Sequence, residues 1–228
     1  MLHFISAYVY LLWLILVLKP GLISSASGSS YFECGSTKIA CAVYGPKQVK
    51  NAPYSSNGKL NVEIKYSPFA STIRRDPMKE LEASHLSSQV TQSLLPSLRL
   101  ENYEKMQIDL FITILQDDSL DFGLLGAITT ASGTALANAG IEMNGLVIGL
   151  AIALKDENFL LDPSPNECSD CDAIMTVCTL PALTQCTSIW QAGKLNIKDY
   201  IECLKIVESA SRNVHTVVAK SLVQETTS

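Results

Sequence analysis

The stretch LQDDSLDFGLLGAITTASGTAL, Leu115 to Leu136, has the outline of a phosphate seat. A strand-like run ends among Asp117, Asp118 and Asp121, a glycine follows at 123, and a run of small residues begins. A helix start offers unpaired N–H groups and the positive end of a dipole, and both attract anions. The side chains here have the opposite effect. The three nearby charges are all aspartates, and their field repels phosphate.

Other residues could carry chemistry. Cys168 and Cys171 form one C-x-x-C in NECSDCD. Zinc takes about four ligands, no second pair exists, and His3, His85 and His215 lie far apart in sequence, so no metal and no cofactor is expected. Arg74-Arg75 is the densest basic pair. Net charge is −5, which excludes a broad basic surface and leaves only local or shared nucleic-acid contacts. The seven cysteines are scattered, and Cys41 and Cys178 sit inside apolar runs. That pattern reads as buried thiols, not a disulfide framework.

The elements that must position these groups follow from periodicity. SSYFECGSTKIACAVYGP predicts two strands turning at Gly35-Ser36, the second ending at Gly45-Pro46. KLNVEIKYS alternates, with Leu60, Val62, Ile64 and Tyr66 on one face, and is expected to be an antiparallel strand. A helix is expected over 78–95, with Leu81, Leu86, Val90 and Leu94 buried and Pro96 at its end. MQIDLFITILQ reads as a central strand, and 125–138 as a small-residue helix stopped by Gly140. GLVIGLAIALKD and ENFLLDP read as strands, and AIMTVCTLP with TQCTSIWQAG as a hairpin. Asn196 is placed to cap a last helix to about 223, with a stripe of Tyr200, Leu204, Val207, Val214, Val218 and Leu222. The order predicts one α+β domain, with mixed or antiparallel sheets packed against helices and a long C-terminal helix.

FISAYVYLLWLILVL, Phe4 to Leu18, is apolar for about the length of a signal peptide and short for a membrane span. Its start carries no Lys or Arg. Three readings stand: a signal or anchor, a buried first segment, or a mis-predicted gene start.

GLISSASGSSYFECGSTKIACAVYGP, with KYSPFAS, IDLFITILQDD, AITTASGTALANAGIEM and FLLDP in the same order, resembles the RNase PH family, and within it the ring subunits of the RNA exosome. The division implied is a leader at 1–19 and an RNase PH-like domain at 20–225. The resemblance implies a ring of six such domains with cap subunits, single-stranded RNA threaded through the pore, and no membrane. It also implies residence in nucleus, nucleolus and cytoplasm, which favours the mis-predicted start. The leader stands where the family has an arginine-rich opening.

Active members attack the terminal phosphodiester with phosphate and release nucleoside diphosphates; most eukaryotic ring subunits keep the fold without the activity. The phosphate-holding arginine of active members falls here on Leu124, and two of their aspartates fall on Cys168 and Ile174. Isoleucine neither donates a proton nor holds a metal. Asp162 matches a further aspartate, read as serving the strand end; Asp170 and Asp172 substitute only if the alignment slips by two residues. The resemblance therefore implies no catalytic residue and a scaffold role, the alternative being an active phosphate-dependent 3′–5′ exoribonuclease. It places RNA-backbone contacts at Arg74, Arg75 and Lys105.

Overall fold

Gly35 takes φ +57° in the turn between β2 (Gly28–Cys34) and β3 (Thr37–Gln48), a conformation that strains any residue with a side chain. The two strands pair antiparallel across it, with Cys34 opposite Thr37. The structure is a computed structural model that describes residues 16–48, 56–71, 74, 80–117, 121–155, 158–168 and 171–226. β3 does not stop at Gly45-Pro46. Its register shifts between Tyr44 and Lys47, which absorbs the proline, and pairing resumes at Lys47 opposite Gln107. The end of the apolar leader, Val17–Pro20, forms β1 and adds antiparallel to β2.

β4 (Lys59–Tyr66) and β5 (Met106–Gln116) complete a first sheet in the order β1-β2-β3-β5-β4. The alternating face of β4 is as expected, but its direction is not. It runs parallel to β5, from Lys59 opposite Gln107 to Tyr66 opposite Ile114. The reason is α1 (Glu80–Leu94), which lies between them in sequence and carries the chain back, as a parallel pair requires. Leu86, Val90 and Leu94 of α1 are buried as predicted, and Pro96 sits in the 3-10 turn Leu95–Ser97 that follows; the side chain of Leu81 lies outside the described residues.

α2 (Asp121–Asn138) packs on the same sheet face, where Ile39, Val43, Leu110, Ile112 and Ile128 share one core. It begins four residues earlier than periodicity suggests. Its end has the predicted glycine stop. Gly140 has φ +70°, its N–H donates to Ala137 at 3.0 Å, and the Ile141 N–H reaches back to Leu136 at 3.2 Å.

The second sheet runs β7-β6-β8-β9, all antiparallel: β6 (Ile148–Lys155), β7 (Asn158–Leu161), β8 (Ala173–Leu180) and β9 (Gln185–Gly193). A one-turn helix, α3 (Pro165–Cys168), links β7 to β8. Ile148, Leu150 and Ile152 of β6 and Met175 and Val177 of β8 face α4 (Ile197–Thr226), which buries Cys203, Val207, Val214 and Val218 against them. Each such valine contributes on the order of 1.5–3 kcal/mol. The Tyr200 N–H bonds the Asn196 carbonyl at 2.9 Å, as the cap position requires, while the Asn196 side-chain N–H donates to Asp199. The layers are sheet, helices, sheet, helix, with α2 between the sheets.

Candidate functional site

The junction from β5 into α2 is set by small residues. A Cβ added to Gly149 of β6 would lie 2.7 Å from the Cα of Gly126, so helix and strand touch backbone to backbone. The Thr130 hydroxyl accepts the Gly149 N–H at 3.0 Å and donates to the Gly126 carbonyl at 3.0 Å. Thr129 and Thr134 likewise return their hydroxyls to carbonyls one turn back, at 2.8 Å each. This satisfies polar groups that have no access to water. From β8, the Thr176 hydroxyl donates to the Phe122 carbonyl at 2.7 Å. The N-terminal half of α2 is thus fastened to β6 and β8 of the second sheet.

Two cavities flank that turn. A small one of about 50 Å³ touches Gly123, Ala127, Cys34 and Asp162. A larger one of about 410 Å³ is lined by Glu82, His85, Gln89, Phe122, Leu125 and Trp190. Among the described residues, neither is lined by a lysine or arginine. A phosphate there would meet carboxylates and ring edges, without the charged donors that hold such anions. Among the described residues, no three His, Cys, Asp or Glu side chains converge as metal ligands.

The basic positions follow one strand and precede another. Because β4 and β5 are parallel, Lys105, just before β5, lies at one end of the pair, in a turn at φ +55°. Arg74, beyond the other end of β4, is exposed. The eight residues of β4 separate these ends by about 25 Å. Arg75 lies outside the described residues, as do Asp118 and Asp170.

Arg74 follows β4 by eight residues. The turn before it is held by three backbone bonds: Ser67 to Ile114 at 2.9 Å, Ala70 to Ser67 at 2.9 Å, and Asp117 to Ala70 at 2.8 Å. Phe69 rides on this turn and is 74% exposed. Sequence reasoning missed it. The available signal was an aromatic in SPFAS, after a proline, between a strand and the basic pair.

Residues 16–142 match the pattern described as "3′ exoribonuclease family, domain 1", and residues 145–210 match "domain 2" of the same family. The chain belongs to the RNase PH family. The boundary between the matches falls in the turn from α2 to β6. The chain is 31% identical to the exosome complex component MTR3 of Homo sapiens over 223 residues, covering 90% of this chain and 81% of that protein. It is 30% identical to the exosome complex component Rrp41 of Nitrosopumilus maritimus, covering 91% and 84%. In fold it is similar to the crystal structure of rice (Oryza sativa) Rrp46, with TM-score 0.77 at 17% identity, covering 91% and 94%. It is similar too to the Archaeoglobus fulgidus exosome with RNA bound to the active site, with TM-score 0.72 at 20% identity, covering 92% and 97%.

In this RNase PH chain, Leu124 is 0% exposed and belongs to the first sheet's core. It lies inside the first turn of α2, not in an open loop before the helix, because that helix begins at Asp121. Ile174 stands two residues from Thr176, hence on the same face of β8, beside the start of α2. Cys168 ends α3 and is partly exposed. Asp162 works at the end of β7: its N–H donates to Ala151 at 2.9 Å and its carboxylate accepts the Cys34 thiol at 3.5 Å. Asp172 is exposed, and its backbone pairs with Leu154 and Lys194. Asp117 is buried at the end of β5.

Proposed function

We propose that this chain is a non-catalytic structural subunit of an exosome core ring. It supports 3′–5′ RNA processing and degradation, including rRNA maturation and RNA turnover, in nucleus, nucleolus and cytoplasm. The names of its relatives, exosome complex components, support the ring, and with it the partners: other RNase PH-like subunits, cap subunits and single-stranded RNA. The observation that carries the inactive reading is the helix start. Leu124 is sealed in the core where a phosphate-binding cation would be needed, and among the described residues the cavities on either side are lined by no lysine or arginine.

RNA is held through its backbone by Arg74, Arg75 and Lys105, and stacked by Phe69. An exposed aromatic five residues before an arginine in the chain is a sequence-tolerant grip for single strands. Lys105 acts from the turn before β5.

Two experiments test the proposal. Purification of the natural protein from cells should recover other RNase PH-like ring subunits, and failure to recover them sinks the ring assignment. The purified chain should release no nucleoside diphosphate from single-stranded RNA when phosphate is added. Phosphate-dependent release would establish the active exoribonuclease instead.

A further inference from the structure

We propose that the free edge of β9 pairs antiparallel with β9 of a second copy of this chain. The pairing is a property of the chain alone and does not depend on the ring assignment. A bare sheet edge is a row of unpaired N–H and C=O groups that another strand can join, and charges, proline or short length guard against it. Among the described strands, β1 and β4 end the first sheet, and β7 and β9 end the second. Three of them are guarded. β1 has four residues with Lys19 and Pro20, β4 carries Lys59, Glu63 and Lys65, and β7 is only four residues long. β9 has nine residues, QCTSIWQAG, with no charge and no proline.

The strand is firm and its edge is open. The Ser188 hydroxyl bonds the Ser93 hydroxyl of α1 at 2.6 Å, Trp190 packs against the first core, and Ile189 packs against the second. Successive side chains point to opposite faces, so both faces of β9 are held. A bulge at Thr187 bends its start, and from 188 to 193 its pairing with β8 is unbroken. Among the described residues, no turn, loop or helix makes a backbone–backbone bond to 185–193.

Charge favours a second copy. The chain carries a net −5, and like charges placed opposite each other across a strand pair are destabilising. Between two β9 edges no charges meet in any register, because the strand has none. A two-fold pairing also sets the start of one β9 against the end of the other. Each exposed Leu183, two residues before β9, then comes to the end from which exposed Ile197 follows in the second copy.

Sedimentation equilibrium of the full chain should give the mass of two chains, falling to one on dilution. Hydrogen exchange should find amides within 185–193 protected in the concentrated sample and open in the dilute one. Gln185→Lys combined with Gln191→Lys, both at exposed positions, should raise the dimer dissociation constant about tenfold or more and leave the circular dichroism unchanged. A single-chain mass at every concentration, protection that maps to another surface, or an unchanged dissociation constant in the lysine variant would overturn the proposal. So would protection of β9 that needs a different ring subunit.

Discussion

The Asp117 amide donates to the Ala70 carbonyl at 2.8 Å, which fastens the turn bearing Phe69 to the last step of the chain before α2. The backbone that carries the exposed ring is therefore fixed. Phe69→Ala in an assembled ring should weaken single-stranded RNA binding by about 1–3 kcal/mol, the worth of one base stack, and leave the unfolding midpoint unchanged. Arg74→Ala should lower the slope of log K against log salt by about 0.7, one phosphate contact on a single strand. Fluorescence anisotropy across a salt series reads both effects. An unchanged slope would remove Arg74 from the RNA path.

Leu124→Arg puts a cation at the position where the proposed inactive reading expects a phosphate-holding arginine, but it should not bring activity. The position is fully buried among apolar neighbours. An unpaired charge there costs several kcal/mol, against a typical total stability of about 5–15 kcal/mol. The expected result is a much lower urea midpoint, loss of near-ultraviolet circular dichroism and no nucleoside diphosphate release. A stable variant with phosphorolysis would show that the helix start can open.

Gly149→Ala and Gly35→Ala separate two costs. At Gly149 the new methyl group meets the backbone of Gly126, which cannot step aside, and overpacking should destabilise by about 1–3 kcal/mol or more. At Gly35 nothing lies within 4 Å of the new atom, and only the φ of +57° resists it, at about 1–2 kcal/mol. Urea unfolding should rank Gly149→Ala below Gly35→Ala, and the reverse order would mean the contact of α2 with β6 gives way easily.

Stability should fall in alkali, in a window set by buried thiols. Burial raises Cys41 from 9.0 to about 12 and Cys203 from 9.0 to about 11. The folded state therefore keeps protons that the unfolded state releases. The contribution is fully present below about pH 9 and is lost as pH rises toward the folded values. Urea midpoints measured from pH 8 to 11 should decline, and Cys41→Ala should decline less steeply whatever its stability at pH 8. Equal slopes would mean that Cys41 ionises freely in the fold.

Much of the fold was legible because burial leaves a period in the chain. KLNVEIKYS alternates because a strand turns successive side chains to opposite faces, so the buried face of β4 could be read directly. Its direction could not. Alternation is the same in parallel and antiparallel pairs, and only the intervening helix α1, a crossover, pointed to the parallel answer. The early start of α2 was hidden for a similar reason. Asp121, Phe122 and Gly123 carry no strong helical signal of their own, and the turn is held from outside by the Thr176 hydroxyl on β8.

The same division holds at the candidate site. Sequence alone determined its chemistry: aspartates around the junction, leucine at 124, isoleucine at 174, and one arginine pair in SPFASTIRR. Side-chain charge and proton capacity belong to residues one at a time, so no fold is needed to see that position 124 carries no cation. The tertiary structure decided where those residues stand. It sealed Leu124 in the core, set the start of β4 and Lys105 at the same end of the parallel pair β4–β5, and tied the turn that bears the exposed Phe69 to the end of β5. Such distances come from strand direction and long-range backbone bonds between segments far apart in the chain, and no local pattern of residues carries them.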